Sequence, residues 1–291
     1  MDSDSYVLFA DLSCDIAPEL LKEWGVTYVS LTHHFVDDPE TENSDDNYPV
    51  KKFYEEMRSG RIAKTSAVPE EVFLDAFKKI LDGGKDILYL AFSSGLSSTY
   101  ANSVIAADAL RPLYPDRKIL ISDTRSASAG FGLLVYIAAE RKKNGEGIDE
   151  LFEYIEKEKF HLCHWFTVGD LKYLKRGGRV SAAAAFVGGV LSIKPVLHMD
   201  DPGHLIPVTK VTGRKNSLNK IADKYGELSV DPKGGTVFIS HGDCIEDAEY
   251  LAGVLNERYG VNVKLITYVG PVIGAHSGPG TIALFFIGKE R

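Results

Sequence analysis

One segment of seven residues, Ser93-Ser94-Gly95-Leu96-Ser97-Ser98-Thr99, carries five side-chain hydroxyls. It follows a compact apolar run, Asp86 to Phe92, that reads as a parallel strand, and it leads into a helical pattern through Leu110. Ligands of open α/β sheets bind where such strands end. Hydroxyls together with the orphan N–H groups of a starting helix make an anion site at that edge. Helix capping alone accounts for one or two of these hydroxyls, not five. Ser93 and Ser94 are therefore candidate ligand residues. Thr65 and Ser66 stand in a similar place, just before a helix that begins near Pro69, and a plain turn explains them equally well.

Three further groups bear chemistry. Asp11, Ser13 and Asp15 follow the first strand and reach the same edge. Paired carboxylates there suit acid–base work or a metal, but capping and loop fixing is the commoner use and the heavier reading. The stretch Val269 to Gly280 holds four glycines, two prolines and one histidine between two apolar strands, so a rigid, close-approach loop is expected. A lone histidine is usually structural, but His276 in so constrained a loop is a better candidate for an oriented donor to a carboxylate. Lys172, Lys175, Arg176 and Arg179 surround Gly177-Gly178, either as solvated charge or as a site for a phosphate or an acidic partner. The small-residue segment Ser181 to Val190 that follows suits close helix packing or room for an acyl chain.

Several classes are excluded. The chain has no G-x-S-x-G element, no P-loop and no G-x-G-x-x-G after the first strand, so the esterase elbow and the usual nucleotide cradles are missing. His161 and His164 lie three apart on a strand and face opposite sides, which rules out a shared metal, and His33-His34 fails likewise. No metal and no cofactor are expected. A net charge of −8 disfavours nucleic acid and anionic membranes. No apolar run approaches the roughly 20 residues that span a bilayer. The N-terminus lacks a signal-peptide pattern, and the three scattered cysteines fit reduced thiols, so a cytoplasmic protein is expected.

The elements that must position these residues form two textures. Tyr6–Ala10, Val26–Leu31, Asp86–Phe92 and Lys118–Ser122 read as strands, with helices between them. That alternation indicates βαβ units and a mainly parallel sheet, while the acidic stretch Asp37 to Asn47 reads as a loop. Beyond the helix Ile148 to Lys159, the runs flanking Asp200-Asp201-Pro202-Gly203-His204 read as a hairpin, so antiparallel pairing is expected. An α/β chain of two domains results, 1–160 and 161–291, with sheets of different kind.

The motifs in order resemble the DegV family of bacterial fatty-acid-binding proteins over nearly the whole chain. They are Asp11-x-Ser13-x-Asp15, Thr65-Ser66, Ser93-Ser94-Gly95-Leu96-Ser97-x-Thr99-Tyr100, Asp123-Thr124-x-Ser126-Ala127-Ser128, Leu174-Lys175-x-Gly177-Gly178-Arg179-Val180-Ser181, Lys194-Pro195 and Gly274-x-His276-x-Gly278-Pro279-Gly280. The chain departs from the pattern at Ala67 and Val68, where Gln and Pro are usual, and at Leu12, where a small polar residue is. The resemblance implies an N-terminal parallel α/β domain, a C-terminal domain with a mixed sheet, and a long-chain fatty acid between them. It implies a carboxylate held by Thr65, Ser94, Arg179 and His276. It further implies a separate kinase subunit that phosphorylates the bound acid with ATP, so that the chain is no catalyst itself. Lys172, Lys175 and Arg176, with Lys210, Arg214 and Lys215, are the surface expected to meet that subunit. The rival readings are a stand-alone serine hydrolase and a sensor or carrier of another small acid.

Overall fold

The computed structural model describes residues 5–180 and 193–291. The segment from Ser181 to Val190, expected to give room for an acyl chain, lies outside the described residues. Strands β1 (Tyr6–Asp11), β2 (Val26–Val29), β6 (Asp86–Ala91) and β7 (Ile119–Asp123) form a parallel sheet in the order β2-β1-β6-β7. Its central strands are buried almost throughout, which explains their near-continuous apolar sequence. Helices α1 (Pro18–Glu23), α3 (Glu70–Asp82), α4 (Thr99–Leu110), α5 (Ser128–Lys143) and α6 (Ile148–Glu158) accompany it.

The second sheet is mixed. Strands β8 (Leu162–Thr167), β9 (Ile193–Met199), β10 (Leu205–Thr212), β11 (Phe238–His241), β12 (Leu265–Tyr268) and β13 (Ile282–Ile287) run in the order β10-β9-β8-β13-β11-β12. Every neighbouring pair is antiparallel except β11 with β12. Helices α7 (Leu171–Gly177), α8 (Arg214–Leu228), α9 (Ile245–Tyr259) and α10 (Pro271–Ser277) belong to this half.

Helix α5 joins the two sheets. It packs on β1 of the first and on β8, β11 and β13 of the second. Both of its sides are covered, and Ser128 through Val135 are buried without a break. Such all-round burial is why its sequence shows no polar stripe. One continuous core therefore runs from Phe9 and Tyr89 through Phe131 to Phe166 and Phe285.

Two expectations are corrected. Residues 37–47 are not a loop: Asp38–Ser44 is strand β4, paired antiparallel with β3 (Thr32–Phe35) in a small sheet completed by β5 (Ala63–Ser66). It is an edge strand whose side chains are mostly exposed, so it shows no apolar alternation, and its acidic residues and Pro39 protect the edge. The Val269 to Gly280 stretch is likewise not all loop, because Pro271–Ser277 forms α10. Pro271 there occupies the first helical turn, where a missing N–H costs nothing.

The small sheet and its helix α2 (Val50–Arg58) come from the first half of the chain but pack on the second. Phe35, Phe53, Tyr54 and Met57 share a cluster with Tyr173 of α7 and Ala275 of α10. The Tyr54 hydroxyl donates to the carbonyl of Val269 at 2.8 Å. This contact brings β5 beside α10 and so creates the site.

Candidate ligand-binding site

A cavity of about 280 Å³ opens between the two sheets at the N-terminal end of α5. Its walls are largely apolar: Leu31 and Phe92 come from the first half, Phe166, Met199, Ala283 and Phe285 from the mixed sheet. Thr65, from the end of β5, and His276, from the last turn of α10, form its best-defined polar group. Thr65 Oγ1 and His276 Nε2 lie 2.8 Å apart although 211 positions separate them in sequence.

Burial, reinforced by the Arg179 guanidinium, pushes the His276 imidazole down to about 4. The ring is therefore neutral at pH 7 and carries a single N–H. The direction of its hydrogen bond with Thr65 Oγ1 is set by which ring nitrogen holds that proton. Arg179 lines the same cavity from its exposed margin, its Nη1 donating to the Gly177 carbonyl at 2.6 Å and its Nε to Leu96 at 3.4 Å. Gly177 is required by close approach, since a Cβ there would lie 2.4 Å from His276 Nδ1. Gly178 ends α7 with a φ of 66°, a left-handed cap that glycine adopts without cost.

The hydroxyl-rich segment divides differently from the sequence expectation. Ser97 and Ser98 line the cavity, whereas Ser93 and Ser94 do not. Ser93 is fully buried and its Oγ donates to the Gly203 carbonyl at 2.8 Å, pinning the β9–β10 turn. Ser94 is exposed, with its Oγ donating to Asp123 Oδ2 at 2.6 Å and its N–H to Oδ1 at 3.1 Å. Both hydroxyls are thus committed to loop geometry. Ser97 and Ser98 therefore stand at the cavity wall in addition to the residues the sequence singled out. Ser66 remains at the cavity wall, its Oγ donating to Glu42 at 3.2 Å.

The carboxylates after β1 serve structure, as the heavier reading held. Asp11 is fully buried and accepts from the Tyr89 hydroxyl at 2.7 Å and the Phe92 N–H at 3.0 Å. Asp15 accepts from the Gly270 N–H at 2.9 Å and from Ser128 Oγ, while Asp45 accepts from the Val272 N–H at 3.0 Å. Two carboxyls thereby satisfy the start of α10, the helix that carries His276. Burial raises Asp15 to about 7, and burial followed by the charge of Asp15 raises Asp45 well above the usual range.

Of the basic residues, Lys175 and Arg176 stand exposed on α7, and Lys172 pairs with Asp170 at 3.0 Å. Lys215 lies over the Tyr250 ring at 5.4 Å. Arg214 is not a free surface charge: its Nε meets Asp247 at 2.9 Å and its Nη2 donates to the Gly280 carbonyl at 2.7 Å. Sequence reasoning did not single out Ser128, Ser240 and His164 as lining residues. His164 was weighed only as a metal ligand. Among the described residues no group of three or more His, Cys, Asp or Glu is placed to hold a metal ion, and no helix is long and apolar enough to cross a membrane.

The family model described as "Uncharacterised protein, DegV family" matches residues 5–289. The chain belongs to the DegV family. A DegV domain-containing protein of Clostridium perfringens is 44% identical over 286 residues, covering 98% of each chain. Among solved structures, a DegV lipid-binding protein from Thermotoga maritima superposes with a TM-score of 0.86 at 28% identity, covering all of both chains. A DegV family protein from Thermus thermophilus, described for its fatty acid binding, gives 0.87 at 25% identity and covers 98% of this chain and 99% of that one. The DegV architecture of a parallel-sheet domain and a mixed-sheet domain is thus shared along the whole length.

Proposed function

We propose that this DegV chain binds a long-chain fatty acid in the cavity and presents its carboxylate to a separate ATP-dependent kinase subunit. The observation that carries the binding step is a largely apolar cavity with the Thr65–His276 pair in its wall and Arg179 at its margin. Lipid binding described for similar DegV structures supports the same reading. A carboxylate accepts charge-assisted hydrogen bonds from Arg179 and the Thr65 hydroxyl, with Ser97 and Ser98 as further donors. Each buried CH₂ adds about 0.8 kcal/mol, which favours long chains over short acids. Thr65, rather than a serine, is the partner of His276, and the Ser94 hydroxyl is held by Asp123, which weighs against a serine hydrolase.

Calorimetry with palmitate tests the head-group assignment. Thr65→Val removes the donor and is expected to weaken binding by roughly 1.5–3 kcal/mol, because it strips a hydrogen bond from a charged group. His276→Phe is expected to lose a comparable amount by leaving Thr65 unoriented. Wild-type affinity in both variants would put the carboxylate elsewhere in the cavity.

In the kinase step, a carboxylate oxygen attacks the γ-phosphorus of ATP, the new O–P bond replaces the bond to the β-phosphate oxygen, and ADP leaves. The family resemblance supports this role, and the exposed Lys175 and Arg176 beside the cavity support a docking face for an acidic partner. The pair Lys175→Glu and Arg176→Glu is expected to keep fatty acid affinity while cutting acyl phosphate formation at least tenfold at low salt, with the wild-type rate falling as salt rises. Unchanged turnover in the double variant removes this face from consideration. The face is drawn without Arg214, whose guanidinium is committed to Asp247 and Gly280.

A further inference from the structure

The cavity ends part-way along the interface between the two sheets. Thr281, Ala283 and Phe285 line it in alternation, as one face of an extended segment must. Ile287, the next residue on that face, does not. The backbone leaves α10, with His276 in its last turn, and enters β13 at Ile282. The order along the strand therefore runs from the head-group end of the cavity toward Phe285.

Strand β11 marks the same boundary. Ser240 is the register partner of Ala283 and lines the cavity, whereas Phe238, the partner of Phe285, does not. Cross-strand partners share a face of the sheet. In a single step the wall thus changes from a serine and an alanine to two phenylalanines. Small side chains leave the room, and the two rings take it away.

Phe238 faces a different space. A second cavity of about 620 Å³ opens toward the C-terminal end of α5, lined by Phe238 with Trp24, Tyr136, Ala139 and Leu265. The Tyr136 ring lies 5.8 Å from that of Phe238 and 5.1 Å from that of Trp24. Helix α5 lines the first cavity with Ser128 and the second with Tyr136, and Gly130 through Val135 between them are buried. Phe285 and Phe238 are 2% and 0% exposed. A Cβ at Gly130 would come within 2.6 Å of Phe285 Cδ1, so this ring is pressed against the helix backbone. The His164 ring stands edge-on to it at 5.4 Å. Held between the two, Phe285 cannot yield without moving a packed neighbour.

We propose that Phe285 is the chain-length stop of the acyl pocket, with Phe238 behind it closing the way to the second cavity. The inference rests on the fatty-acid reading of the first cavity. Every methylene placed before Phe285 gains burial, worth about fourfold in affinity. The first one beyond it has to displace a clamped ring or buckle the acyl chain, and either reverses the gain.

Competition binding on delipidated protein with even-numbered saturated acids from C12 to C22 tests this. The affinity of the wild type is expected to climb with length and then to fall at least tenfold for the first acid past the limit. Phe285→Ala is expected to move the limit up by at least two carbons and to bind that first excluded acid about tenfold tighter than the wild type does. Phe285→Leu is expected to move it in the same direction, and it decides alone if the alanine variant fails to fold. Phe238→Leu is expected to leave the limit in place, because Phe285 still closes the pocket. An unchanged limit in the Phe285 variants overturns the inference and leaves the fatty-acid reading standing. So does a limit that moves in Phe238→Leu alone. No binding of any of these acids to the wild type overturns both.

Discussion

Delipidated protein is expected to gain about 8 °C in melting temperature on adding palmitate at a thousandfold excess over its dissociation constant, and Ala283→Trp is expected to abolish that gain. A ligand that binds only the folded state stabilises it by about 4 kcal/mol at that excess. A chain of this size converts each kcal/mol into roughly 2 °C. Ala283 is the position for the block. It sits on the cavity-facing side of β13, flanked in register by Phe166 of β8 and Ser240 of β11, all three of which line the cavity. An indole at that point occupies the space of several methylenes. Because the space already exists, the overpacking cost is expected at the low end of about 1–3 kcal/mol, and the variant should fold. Differential scanning fluorimetry on both proteins, with extraction and mass spectrometry of co-purifying lipid, provides the measurement. A melting temperature that rises equally in Ala283→Trp places the ligand outside this cavity. No rise with any chain length from C14 to C18 removes the fatty acid altogether.

How far the sequence could lead to this cavity is clear from particular residues. β1, β6, β8 and β13 were legible because both faces of each are covered, so nearly every residue is apolar. β4 was not, because an exposed edge strand is held by backbone bonds to β3 and its side chains need no pattern. Helix α10 was concealed by the glycines and prolines that fit it into place. Its start is satisfied by Asp15 and Asp45, which lie more than 200 residues earlier and leave no local capping signal. Hydroxyl abundance singled out the segment after β6, of which Ser97 and Ser98 line the cavity, yet it could not tell the individual serines apart. That choice belongs to β7, whose register sets Asp123 opposite Ala91, within reach of Ser94. His164 gave only the signal of a lone histidine on an apolar strand.

Asp15→Asn is expected to stabilise the protein at pH 8 and to flatten its stability between pH 4 and 7. Asp15 is buried and held at about 7, against about 3.9 for an unfolded aspartate. Between those values the folded chain binds a proton that the unfolded chain has released. Stability therefore falls as pH rises through this window, and the loss is complete above the folded value. Three units correspond to an upper limit of about 4 kcal/mol, of which we expect roughly 3 kcal/mol to be realised. The source of the penalty is a charge that burial disfavours. Hydrogen bonds from Ser128 and Gly270 oppose it without cancelling it. Asparagine keeps the geometry: its carbonyl oxygen accepts from the Gly270 N–H, and its amide donates to Ser128 Oγ in place of a carboxyl proton. It also suits the left-handed backbone at this position, where φ is 52°. Urea unfolding of both proteins across pH 4 to 8 should show curves that meet at the acid end and separate toward the alkaline end. Parallel curves, or a less stable variant at pH 8, would mean that Asp15 is ionised at little cost. In that case the start of α10 would be stabilised by a carboxylate in the ordinary way.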